Sequence, residues 1–186
     1  MTIINFNKNF SESITDQFLH HRLNIKYEPT QQIRITAELR NRLFWGESVR
    51  SNPNFAEQLK NSNDLWNLQK AWINNASIVL HTNIERLNFQ LSNEKWNLRL
   101  GRQRINWGMT TTWNPNDLFN AYNFLDFDYE ERPGADGARV QYEISDLSNI
   151  QFVYTKAAQQ KDIVGLRYFL NTKGYDLQMI GAWYRG

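Results

Sequence analysis

The 186-residue sequence predicts an all-β fold, an antiparallel up-and-down transmembrane β-barrel, present as a fragment of about eight strands of a larger barrel. Three observations predict it. Apolar and polar residues alternate with period two over stretches of ~9–15 residues, long for an ordinary sheet and suited to tilted membrane strands. One side of each stretch is aliphatic and the other is rich in arginine. The connections alternate between short turns and long links, as they do where turns lie on one side of a membrane and loops on the other.

The first strand places Leu23, Ile25 and Tyr27 on one side and Arg22, Asn24 and Lys26 on the other. Glu28-Pro29-Thr30-Gln31 is composed as a tight turn. The second strand sets Ile33, Ile35, Ala37, Leu39, Leu43 and Trp45 against Gln32, Arg34, Thr36, Glu38, Arg40 and Arg42. A third begins with Ile78, Leu80 and Ile84. Its phase slips near Glu85-Arg86 to Leu87, Phe89 and Leu91, which a β-bulge would produce. After the turn Ser92–Lys95 come Trp96, Leu98 and Leu100. Ala138, Val140, Tyr142 and Ile144 lead through the turn Ser145–Ser148 to Ile150, Phe152 and Tyr154. Val164, Leu166, Tyr168 and Leu170 lead through Asn171–Gly174 to Tyr175, Leu177, Met179 and Trp183.

The whole of 1–186 is read as one partial barrel domain. Residues 1–17 are read as an irregular N-terminal segment, and 47–75 and 108–137 as long external or lumenal loops. Phe55–Lys60 in the first loop predicts a short helix. With the first turn on the periplasmic side, an odd number of strands must precede Leu19 in the complete barrel, and a closing strand must follow Arg185, so both ends are read as truncated. Met1–Lys8 lacks a basic segment followed by an apolar core, so an export leader would have been removed or would lie outside the chain.

Composition narrows the classes. Only 41% of residues are hydrophobic and mean hydropathy is −0.66, yet barrel strands average out polar because half their side chains face a lumen. No run of ~20 apolar residues exists, which excludes helical spans. Seven Trp, eight Tyr and eleven Phe are many for so polar a chain. Trp45, Trp96, Trp107, Tyr27, Tyr154, Tyr168 and Trp183 suit interfacial girdles, or equally the core of a sandwich. Cysteine is absent, so there is no disulfide or thiol chemistry. A net charge of +2 points to no nucleic-acid partner.

Leu98-Arg99-Leu100-Gly101-Arg102-Gln103-Arg104-Ile105-Asn106-Trp107-Gly108 is a strand ending in a Gly-Arg-Gln-Arg-x-x-Trp-Gly signature, followed by Trp113-Asn114-Pro115-Asn116-Asp117. With Asp126–Gly134, Leu39–Phe44 and Ile84–Leu87, it resembles porin-like outer-membrane β-barrel proteins of Bacteroidetes-type bacteria, and distantly alginate-export and phosphate-selective porin barrels. The resemblance covers the chain from about His20 onward and makes Gly101, Arg102, Gln103, Arg104, Trp107, Gly108, Asn114, Pro115 and Asp117 family-motif residues. It implies an exported protein of the bacterial outer membrane with more than eight strands. Arg102 and Arg104 fall on the parity of Leu98 and Leu100, so either the strand slips at Gly101 or it leaves the membrane there.

Arg34, Glu38, Arg40, Arg42, Arg99, Arg139, Glu143 and Arg167 fall opposite the apolar stripes and are candidate lumen-lining residues setting selectivity; a salt-bridge ladder or solvated face is the plain alternative. The link of about thirty residues after Gly108 exceeds ordinary connections. Its Asp117, Asp126, Asp128, Glu130, Glu131 and Arg132, interleaved with aromatics, are constriction-loop candidates, because so many aromatics are costly to leave in water. Histidines are too few and scattered for a zinc or catalytic set, and no acid/base spacing or phosphate loop appears. The expectation is therefore a non-enzymatic porin-like channel for small polar solutes, anionic or sugar-like ones included, with no cofactor and no metal. Its partners would be the lipid bilayer with its lipopolysaccharide and the diffusing solutes; association into a homo-oligomer stays open. Two alternatives stand beside it, a soluble carbohydrate-binding β-sandwich and an outer-membrane barrel enzyme.

Overall fold

Period-two alternation becomes ten strands among the described residues of the computed structural model, which are 2–6, 13–60, 64–108, 118–119, 134–156 and 162–185. In chain order they are β1 (Thr2–Phe6), β2 (Ser13–Thr30), β3 (Ile33–Gly46), the short helices α1 (Glu47–Ser51) and α2 (Phe55–Gln58), β4 (Gln69–Asn74), β5 (Ile78–Ser92), β6 (Trp96–Gln103), β7 (Ala135–Ser145), β8 (Ser148–Thr155), β9 (Asp162–Thr172) and β10 (Tyr175–Arg185). The hydrogen-bonded order is β1-β2-β3-β5-β6-β7-β8-β9-β10, with β4 paired to β5 off that path. The sheet is antiparallel, runs up and down, and is not closed. Hairpins β5–β6, β7–β8 and β9–β10 turn where the sequence places turns, β2–β3 turns at 31–32 with Glu28–Thr30 still in β2, and α2 lies within the expected helical stretch.

Two strands fall where the sequence reading has none. Residues 1–17, expected to be irregular, contain β1 and the start of β2; Thr2 to Phe6 pair with Gln17 to Ser13. The stretch 47–75, expected to be a long loop, holds both helices and β4. In β4 the register shifts between Ala71 and Ile73, so Trp72 is an extra residue in the ladder to β5. Such a bulge removes the two-residue period by which a strand is recognised. In β5 the phase slip appears as expected. Burial falls on Val79, His81, Asn83 and Glu85, and then on Asn88 and Gln90.

The chain divides into two compact units. The first comprises Met1–Asn24, Glu38–Ser62 and Asn67–Ile84. Its apolar core is Val49, Ala56 and Val79, flanked by Phe44, Phe55, Leu59 and Ala71. Phe44 stacks on Phe18 at 5.7 Å and meets Phe55 edge-on at 5.3 Å. Asp16 fixes the start of α1, accepting hydrogen bonds from the Ser48 amide at 2.9 Å and from the Ser48 hydroxyl.

The second unit comprises Ile25–Ala37, Asn63–Trp66 and Glu85–Gly186. Its ladders fix which side chains share a face. One row reads Leu91–Leu98–Val140–Phe152–Leu166, and the next Phe89–Leu100–Ala138–Tyr154–Val164–Trp183. The opposite face reads Gln90–Arg99–Arg139–Val153–Gly165 and Asn97–Gln141–Gln151–Arg167–Ile180. The register of β6 against β7 runs unbroken through Arg102↔Asp136 and Gln103↔Ala135, so the strand does not slip in register at Gly101. Gly101 instead has φ 109°, and a Cβ there would stand 2.3 Å from the Leu87 carbonyl oxygen. Gly101→Ala is therefore expected to destabilise the fold by about 1–3 kcal/mol, read as a lower urea midpoint in detergent; a loss under about 0.5 kcal/mol would mean that the conformation is not required.

Candidate functional site

The informative features of a sheet are its buried polar and exposed apolar groups. Among the described residues Arg40, Arg42, His81, Asn83, Glu85, Asn88, Gln90, Arg102, Gln103, Asp136 and Gln151 are buried, while Leu23, Leu91, Leu100, Phe152, Leu166, Leu177, Met179 and Trp183 are exposed.

In the second unit three guanidinium groups share the polar face. Arg99 donates to Gln90 Oε1 at 2.6 Å and Arg167 to Asn149 Oδ1 at 3.2 Å. Arg139 is paired in register with Arg99. The Nε atoms of Arg99, Arg139 and Arg167 are buried without a hydrogen-bond partner among the described residues. Like charges directly opposite on a ladder repel, so this arrangement calls for solvent or a counter-charge. Glu143 accepts from Gln141, which in turn accepts from Gln151 at 2.8 Å.

The segment after β6 lies on this same face. Ile105, Trp107 and Phe119 form a buried cluster with Val153, flanked by Ile163 and Ile180. The Trp107 and Phe119 rings meet edge-on at 4.7 Å. Trp107 donates its indole N–H to Gln151, and Gln178 donates to the Trp107 carbonyl at 3.0 Å. A Cβ at position 165 would sit 2.7 Å from both rings, so glycine is what lets them lie against β9.

At the end of β6, Arg102 is 1% exposed and fully engaged. Its Nε and Nη2 grip Asp136 at 2.8 and 2.9 Å, a bidentate geometry. Nη1 lies 2.8 Å from Asp64, and Nη2 donates to the Trp66 carbonyl at 2.6 Å. Asp136 also accepts from the Trp66 amide at 3.1 Å. Gln103 donates to the carbonyls of Arg99 and Gly137. Burial raises Asp64 to about 6; Asp136 and Glu85 push the same way, and Arg102 only partly offsets them. The folded chain thus holds a proton on Asp64 between about pH 4 and 6 that the unfolded chain has released. This group's contribution to stability is therefore expected to be full below about pH 4 and to be lost as pH rises through 6. Asp64→Asn should flatten that slope in pH-dependent urea midpoints; an unchanged slope would exclude Asp64 as its source.

In the first unit Arg40 and Arg42 are buried on β3, with the Arg42 guanidinium 5.6 Å from the Phe44 ring centre. His81 on β5 is fully buried, and neither ring nitrogen has a hydrogen-bond partner among the described residues. Glu38 pairs with Arg22 at 2.6 Å.

The chain matches no family model, no curated protein and no solved structure.

The structure sorts the sequence candidates. It brings Arg99, Arg139, Arg167 and Glu143 to one face of the second unit and Arg40 and Arg42 into the interior of the first. Arg34 is exposed and paired with Glu28 instead. Of the motif residues, Arg102, Gln103 and Trp107 are buried, Arg104 is half-buried, and Gly108 donates to Asn106 Oδ1 at 3.0 Å. Asn114, Pro115, Asp117, Asp126, Asp128, Glu130, Glu131 and Arg132 lie outside the described residues. Sequence reasoning missed Asp64, Gln151, Gln178 and Gly165. Gly165 alone leaves a local signal, a glycine on the polar side of a strand.

Proposed function

We propose that this chain forms part of the wall of an outer-membrane, porin-like β-barrel. Its aliphatic face meets lipid, and its guanidinium face lines a water-filled lumen through which small polar solutes diffuse, anionic or sugar-like ones included. One observation carries the reading: the polarity of the sheet is inverted. Phe152 at 45% and Leu166 at 48% are exposed in the middle of their ladders, while Gln151 and Gln90 beside them are buried. A monomeric soluble domain rarely leaves so continuous an apolar surface in water. A β-sandwich would bury these same Leu, Phe and Val residues between its sheets.

Strand length agrees. A barrel strand crosses the hydrocarbon with about 9–11 residues, and β3, β5, β7, β9 and β10 have 14, 15, 11, 11 and 11. Trp107 and Phe119 against β8–β9 support a lumen narrowed by the connection after β6. The arginines would bias the lumen toward anions.

Planar bilayers containing the full-length protein are expected to show conductance with mild anion preference, and Arg139→Glu to weaken or reverse it. Preference for cations would remove the arginine wall and leave the barrel standing. Absence of conductance, together with unchanged gel mobility on boiling, would overturn the barrel itself.

A further inference from the structure

A chain of hydrogen bonds with a fixed direction crosses the polar face of the second unit. It starts at the Trp107 indole, which donates to Gln151 Oε1. Gln151 Nε2 donates to Gln141 Oε1 at 2.8 Å, and Gln141 Nε2 donates to Glu143 Oε1. Gln151 stands opposite Gln141 in the β7–β8 ladder, and Glu143 lies two residues further along β7, on the same face. Glu143 is opposite Asn149, whose Oδ1 accepts from Arg167 at 3.2 Å, so a cation stands within electrostatic reach of the carboxylate.

The two ends of the chain differ in kind. An indole nitrogen only donates, and an ionised carboxylate only accepts. Each glutamine between them has one accepting and one donating end. With a donor fixed at Trp107 and an acceptor fixed at Glu143, a single orientation of both amides satisfies every link. Turning either amide over sets N–H against N–H at one joint and oxygen against oxygen at the next. Water cannot repair the first joint, because Trp107 is 1% and Gln151 3% exposed. Gln178 on the Trp107 carbonyl and the Phe119 ring hold the same segment by other atoms, so they leave the direction of the indole bond to the glutamines.

We propose that Glu143 is a positioning residue: acting through Gln141 and Gln151, its carboxylate fixes the direction of the hydrogen bond that holds the Trp107 indole against the sheet. Its charge then acts on the segment after β6 rather than on a passing solute. The consequence for the lumen rests on the reading given above, in which that segment narrows it.

The test exchanges acceptor for donor at one end of the chain and reads the other. In the full chain in detergent micelles, NMR follows hydrogen exchange of the Trp107 indole N–H, whose signal is the one absent from Trp107→Phe. Glu143→Lys offers only donors and should speed that exchange about tenfold, the loss of roughly one hydrogen bond. Glu143→Gln keeps an accepting oxygen in the same place and should leave the exchange within about twofold. Unchanged exchange in Glu143→Lys, or equal speeding in Glu143→Gln, would overturn the inference. So would a speeding shared by the backbone amides of β8, which would mean a general loosening. Gln151→Leu breaks the same indole bond without changing charge and should raise conductance in bilayers. Faster indole exchange in Gln151→Leu with no rise in conductance would support the bond chain and overturn the lumen-narrowing reading alone.

Discussion

Asp136→Ala is expected to destabilise the folded chain by about 3–5 kcal/mol, among the largest effects of any single substitution here. The reason is asymmetry. Arg102 is buried and spends two of its donors on Asp136; removing the carboxylate leaves a guanidinium that cannot reach water. Asp64 and the Trp66 carbonyl still hold Nη1 and Nη2, which places the loss at the lower end of that range rather than beyond it. The Trp66 amide also loses its acceptor. Removing charge from both sides, as in Arg102→Met with Asp136→Leu, should recover only part of the stability, since Asp64 and the Trp66 amide and carbonyl then lose their partners. Urea midpoints of the two variants check this. An Asp136→Ala loss under about 1 kcal/mol would mean that water already reaches the guanidinium.

Leu166→Arg is expected to cost about 2–4 kcal/mol in lipid vesicles, the penalty for an arginine on the lipid face near the bilayer midplane. Leu166 lies in the row Leu91–Leu98–Val140–Phe152–Leu166, with β8 on one side and β10 on the other. The control is Gln141→Arg on the opposite face, in the row of Gln151 and Arg167, where the new cation replaces an amide that hydrogen-bonds Glu143 and Gln151 and should cost less than Leu166→Arg. Folding yield into vesicles of defined thickness, with urea titration, separates the two. Equal effects at both positions would show that the two faces see the same solvent and would remove the membrane reading.

How much could be read from residue order depends on distance along the chain. Period two in β3, β7, β8, β9 and β10 needs only neighbours within one strand, so their faces and hairpin turns were legible. The slip in β5 was legible too, because Glu85-Arg86 interrupts an otherwise regular stripe. β4 was not, since Trp72 is an extra residue in its ladder and breaks the alternation that marks a strand. β1 is five residues long, too short for its alternation to stand out.

Local order thus determined which side of each ribbon is greasy and which is charged, a property of one side-chain vector repeated every second residue. Tertiary structure alone decided which charges are neutralised and which are left facing one another. Arg102 finds Asp136 and Asp64 through ladders that join residues tens of positions apart, whereas Arg99 meets Arg139 across the same pair of strands. Pairing register sets that difference, and register depends on every turn and bulge between the partners, so no single stretch of sequence contains it.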